Sequence, residues 1–141
     1  MSSYISQTLR VQIAESERYS CCYCLTSEIN SGIRMTHDHI YPLSKGGETS
    51  FENVCLACQS CNEYKGNIIE AIDPLTGEKV SLFNPRQQEW SHHFQWSSDG
   101  TKIEGITAFG RATVTALRTN NPVIVAARKR WVAVGWHPPL G

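Results

Sequence analysis

Apolar residues fall into short groups along the chain, and their spacing changes several times. Over residues 6–18, Leu9 and Ile13 stand four apart with Ser6 available as a cap, which predicts an amphipathic helix. Residues 35–41 predict a short strand that Pro42 ends or holds at a sheet edge, since proline has no ladder donor. Gly46 and Gly47 mark 44–48 as a loop, 53–57 reads as a return strand with Val54 and Leu56 alternating, and 61–69 reads as a helix. A turn-rich linker at 73–77 then leads to a second apolar region. There, 94–96 and 101–103 alternate around Ser98-Asp99-Gly100, a hairpin signal. Two helices follow, one over 108–118 after Thr107, the other opened by Asn121-Pro122 and running to 134, with Ile124, Ala127, Trp131 and Val134 as its buried stripe. Phe83, Trp90, Phe94, Trp96, Trp131 and Trp136 predict an aromatic core for this half rather than a base-stacking platform.

The pattern is α+β, and the 141 residues divide naturally into 1–70 and a C-terminal extension, 71–141, packed on it. With 40% hydrophobic and 18% charged residues the composition is that of an ordinary globular chain. No basic leader with an apolar run opens it and no stretch approaches the roughly 20 apolar residues of a bilayer span, so a cytoplasmic location without membrane contact is the expectation. Net charge is zero, but the halves differ: residues 1–70 hold five Lys or Arg against eight Asp or Glu, and residues 71–141 hold eight against five. Any grip on nucleic acid therefore leans on the second half, where Arg111 and Arg118 lie seven apart and Arg128-Lys129-Arg130 is the only basic run.

The cysteines change the picture most. Cys21 and Cys24 form one C-x-x-C pair, Cys58 and Cys61 a second. Two such pairs on tight turns supply the four thiolates of a tetrahedral structural zinc, and without a secretion signal metal is favoured over disulfides. Cys22 and Cys55 are left over and read as small packed side chains. Tyr19 and Tyr23 flank the first pair and shield the metal.

Between the two pairs runs Thr36-His37-Asp38-His39-Ile40, with Pro42, then Gly46-Gly47 and Asn53-Val54; Cys58-x-x-Cys61-Asn62 and Lys65-Gly66 close the stretch. About fifty residues in this order and spacing resemble the HNH endonucleases, the ββα-metal nucleases. The resemblance implies a zinc-stapled ββα-metal module and metal-dependent hydrolysis of DNA that leaves a 5′ phosphate. His39 stands where the general base stands, a suitable role for an imidazole with an ordinary pKa of about 6.5. Asp38 and Asn62 stand where a divalent cation is held, and because both offer hard oxygens magnesium or manganese suits them. Asn53 is implied to pin the loop that carries the base. Asn62 departs from the His-Asn-His pattern of the family's name, where a histidine often stands. Lys65, Lys45 and His37 are the candidates for nucleic-acid contacts.

Other signals carry less. His92-His93 reads as structural, and His137 gives no signal. Residues 82–96 and the closing 135–139 resemble an extension found after the motif in small bacterial proteins, to which no chemistry attaches. Against the endonuclease stand a zinc-dependent nucleic-acid-binding module without catalysis, and a purely structural zinc domain for protein assembly. RNA is the alternative substrate to DNA.

Overall fold

The computed structural model describes residues 4–139. The chain forms two compact units, each discontinuous: the first runs to Ile69 and includes Asn84–Gln87, and the second comprises Glu70–Phe83 and the chain from Gln88 onward. Both are mixed, with five α-helices and three two-stranded antiparallel sheets among the described residues.

The first unit opens with α1 (Gln7–Ser16), capped by the Ser6 side chain on the Leu9 amide, with Ile13 buried. A tight knuckle at 21–24 leads to the short α2 (Glu28–Ser31), whose Glu28 carboxylate accepts from the Met35 amide at 2.8 Å and sets where the next strand begins. That strand, β1 (Thr36–His39), pairs antiparallel with β2 (Val54–Ala57) in the register His37 with Leu56, Asp38 with Cys55 and His39 with Val54. It is shorter than the 35–41 the sequence suggests, because the chain turns into a 3-10 segment at Leu43–Lys45 after Pro42. All four β2 residues are buried instead of alternating, since α1 and α3 (Gln59–Lys65) both pack against this strand. Helix α3 begins and ends earlier than expected, capped by Cys58 at its start and stopped by Gly66.

In the second unit the stretch at 73–77, expected as a linker, is the turn of a hairpin: β3 (Glu70–Ile72) pairs with β4 (Lys79–Ser81). The Asp73 carboxylate builds that turn by accepting from the Leu75 amide and the Thr76 hydroxyl, both at 3.0 Å. The second hairpin is present with its return strand two residues later than expected: β5 (Phe94–Trp96) pairs with β6 (Ile103–Gly105), and Asp99 ties the connecting loop through Thr101 and Ser97. Helix α4 (Ala108–Ala116) is capped by Thr107, and α5 (Pro122–Ala133) by Asn121 with proline in its first turn.

The expected stripe of α5 is corrected. Trp131 and Arg128 are buried, whereas Val134 lies past the helix end and is exposed. Arg128 is thereby removed from the basic run; its guanidinium donates to the carbonyls of Thr101 and Thr119. The aromatic core holds Phe83, Phe94 and Trp131, with Phe83 edge-on to Phe94 at 5.1 Å and Trp90 stacked on Phe94 at 5.1 Å. Trp136 is exposed. Among the described residues, no helix is long and apolar enough to cross a membrane.

Candidate metal centre and HNH site

The sulfurs of Cys21, Cys24, Cys58 and Cys61 lie within 4.8 Å of one another. Each pair sits on a turn that points its sulfurs inward, with the Cys24 amide donating to Cys21 Sγ at 3.5 Å and the Cys61 amide to Cys58 Sγ at 3.3 Å. The Cys24 and Cys58 sulfurs approach to 3.6 Å, close to the edge of a tetrahedron with bonds of about 2.3 Å. Four thiolates in this arrangement fit a structural zinc. Cys22 and Cys55, left over by that count, are buried together with their sulfurs 2.9 Å apart.

Asp38, on β1, points into the unit and is almost fully buried. Its Oδ2 accepts from the Tyr23 hydroxyl at 2.7 Å and its Oδ1 from the Lys65 ammonium at 3.2 Å; the same ammonium donates to the His39 carbonyl at 3.1 Å. Burial raises the Asp38 pKa, and Lys65 and Tyr23 work against that rise. Lys65, expected at the surface against a phosphate, is 2% exposed because it is the internal countercharge of Asp38. Tyr23, expected as a shield over zinc, is fully buried and spends its hydroxyl on Asp38. The sequence carried no signal for that contact beyond the presence of a tyrosine.

His39 follows on β1 and is half-buried on the other side of the strand. One ring nitrogen, Nε2, lies 2.9 Å from the Thr49 hydroxyl. Burial pushes its pKa below the ordinary imidazole value; Asp38 opposes this and Lys65 adds to it. His37 shares the face of His39, with its Nε2 buried and without a hydrogen-bond partner among the described residues. Burial, then Arg10, lowers its pKa as well.

The loop between the strands is tied by Asn53. Its Oδ1 accepts from the Tyr41 amide at 2.8 Å, its Nδ2 donates to the carbonyls of Tyr41 at 3.0 Å and Glu48 at 2.8 Å, and its own carbonyl accepts from the Ile40 amide at 2.8 Å. Gly47 fits under this knot only because it has no Cβ, which would collide with the Tyr41 carbonyl. Lys45 is exposed at the end of the 3-10 segment.

Asn62 lies on α3 three residues before Lys65, hence on the same helix face. It is half-buried, and among the described residues its side-chain amide has no hydrogen-bond partner. A carboxylate has about four lone-pair sites, so Asp38 keeps acceptor capacity beyond Tyr23 and Lys65.

Of the remaining histidines, His93 reaches the Thr107 hydroxyl at 2.7 Å and packs on Phe83, while His92 is exposed beside Glu89. They belong to a 3-10 turn and its end, not to a strand. His137 is buried with its ring 4.3 Å from that of Trp96.

Neither the curated proteins nor the solved structures contain a match to the chain. Residues 21–72, the span that holds the four cysteines, His39, Asn53 and Asn62, match the HNH endonuclease family.

Proposed function

We propose that this protein is a metal-dependent endonuclease that hydrolyses phosphodiester bonds in DNA. The observation that carries the reading is the family match over 21–72 with a neutral-leaning His39 beside a loop held by the four hydrogen bonds of Asn53. In the tautomer whose Nε2–H donates to Thr49, the lone pair of His39 Nδ1 is left to take a proton from water as it attacks phosphorus. Asn53 orients that base through the loop without touching substrate. Asp38 and Asn62 would hold the cation, which when bound supplies positive charge to the phosphoryl oxygens and the leaving 3′ oxygen. Exposed Lys45 is available to a phosphate.

One observation favours a second reading, a zinc-dependent nucleic-acid-binding module without catalysis: both oxygens of Asp38 already serve Tyr23 and Lys65. Plasmid cleavage by zinc-loaded protein in magnesium or manganese separates the two. Wild type is expected to cleave, a chelator to stop it, and His39→Ala to slow it by about 10²–10⁴-fold. The rate should rise with pH as His39 loses its proton, with the midpoint below the usual 6.5, so that it has levelled off by neutral pH. An intact plasmid under every metal, still retarded in a gel, moves the assignment to the binding module.

A further inference from the structure

The Leu-Phe-Asn-Pro-Arg stretch at 82–86 lies beyond the family match, which ends at 72, and the sequence attaches no chemistry to it. Asn84–Gln87 nevertheless belongs to the first unit. The geometry of Arg86 accounts for this. The Asn84 side chain accepts from the amides of Arg86 at 2.9 Å and Gln87 at 3.3 Å, a turn that presents the arginine. The guanidinium then makes a different contact with each nitrogen: Nε donates to the Phe51 carbonyl at 2.6 Å, Nη2 to the Val54 carbonyl at 2.7 Å, and Nη1 to Glu17 Oε1 at 3.2 Å. Its plane also lies over the Phe51 ring, 4.1 Å from the centroid.

The two carbonyls it grips flank Asn53, two residues before and one after. Asn53 is the residue that holds the amides of Ile40 and Tyr41, immediately after His39. The Glu17 carboxylate both neutralises the guanidinium and accepts from the Leu56 amide at 2.7 Å, so it closes the clamp on the same strand. No other side chain presents a rigid planar fork of this shape; lysine offers a single point of charge.

We propose that Arg86 is a positioning residue for the His39 loop, acting through residues 51–54 and Asn53, and that the HNH segment is incomplete without Asn84–Gln87. The kinetic arm of its test rests on the endonuclease reading; the structural arm does not.

The test compares full-length, zinc-loaded wild type with Arg86→Lys and Arg86→Met. Amide hydrogen exchange is followed at Ile40 and Tyr41, with Cys61 and Asn62 in the same unit as references, beside zinc stoichiometry and cleavage kinetics. Expected is a rise of roughly tenfold in exchange at Ile40 and Tyr41 in both variants, with the references and zinc content unchanged. For cleavage, kcat falls by about 10–100-fold while KM for DNA stays put, as for loss of a group that orients a catalytic residue. Wild-type exchange at Ile40 and Tyr41 in a zinc-loaded variant overturns the proposal. So does acceleration that includes the references equally, which marks a general structural role. If Arg86→Met does not fold, Arg86→Lys, which keeps the charge opposite Glu17, decides. If the wild type cleaves nothing, the endonuclease reading fails, and the exchange comparison still decides on the clamp.

Discussion

The two units are stabilised by different means. In the first, the buried set is largely polar or polarizable: five of the six cysteines, Tyr23, Asp38 and Lys65, with a modest apolar contribution from Ile5, Ile13, Met35, Val54 and Leu56. In the second, Leu82, Phe83, Phe94, Ile103, Leu117 and Trp131 form an apolar and aromatic core that also encloses Asp73, Arg128 and His137, and no cysteine takes part. Four-residue strands and a seven-residue helix bury too little apolar area to order a site by hydrophobic force alone. The first unit instead relies on a cysteine cluster that fits a zinc ion and on a buried charge pair, groups whose partners are specific.

The largest effect follows directly. Removing zinc with a chelator should unfold the first unit, because metal affinity in small cysteine sites is largely folding free energy, about 10–16 kcal/mol in model fingers. The second unit should survive. All four tryptophans, Trp90, Trp96, Trp131 and Trp136, lie in it, so tryptophan emission stays native while exchange protection around Cys21–Cys61 collapses. Loss of both signals together would show that the units do not differ in the way argued, and retention of both would remove the four-thiolate assignment.

The charge balance gives the second test. Lys65→Met leaves Asp38 buried with only the neutral donors Tyr23 and Cys55, and breaking a buried pair from one side costs about 3–5 kcal/mol. Burial already raises the Asp38 pKa and Lys65 restrains it. Without the ammonium the ionised form is the costly one, so the variant's deficit should be fullest at neutral pH and shrink as acid protonates Asp38. Asp38→Asn added to Lys65→Met should recover most of the loss. A double variant no better than the single would assign the cost to lost packing of the lysine stem.

The order strand, loop, strand, helix was legible, as were the caps at Ser6, Thr107 and Asn121, because each depends on residues within a few positions. The cysteine cluster was legible through its spacing. The hairpin at 70–81 was missed although Asp73 to Gly77 carries its turn, since three-residue strands leave almost no alternation to read. What the sequence could not show were contacts made across long separations. Tyr23 meets Asp38 across 15 residues, Lys65 meets it across 27, and Arg86 reaches Glu17 across 69. A buried lysine or arginine looks in sequence like any surface charge, which is why Lys65 and Arg128 were both expected outside.

The smallest effect concerns an ion pair of the second unit, at the turn between β3 and β4. Arg111 grips Asp73 with two bonds of 2.9 Å, and this holds the Asp73 carboxyl well below the usual carboxylate range. A depressed folded pKa means that the pair's stabilisation is complete above the unfolded value of about 3.9 and is lost as pH falls through the folded one. Urea unfolding followed by tryptophan emission should therefore place the Asp73→Asn midpoint modestly below wild type, by a constant amount from neutral pH down to about 4. Below that the two curves should converge as the wild-type carboxylate takes up its proton. Convergence that begins near neutrality would point to a histidine instead, and a gap undiminished in strong acid would mean that the asparagine disturbs the turn at Leu75 and Thr76 rather than the ion pair.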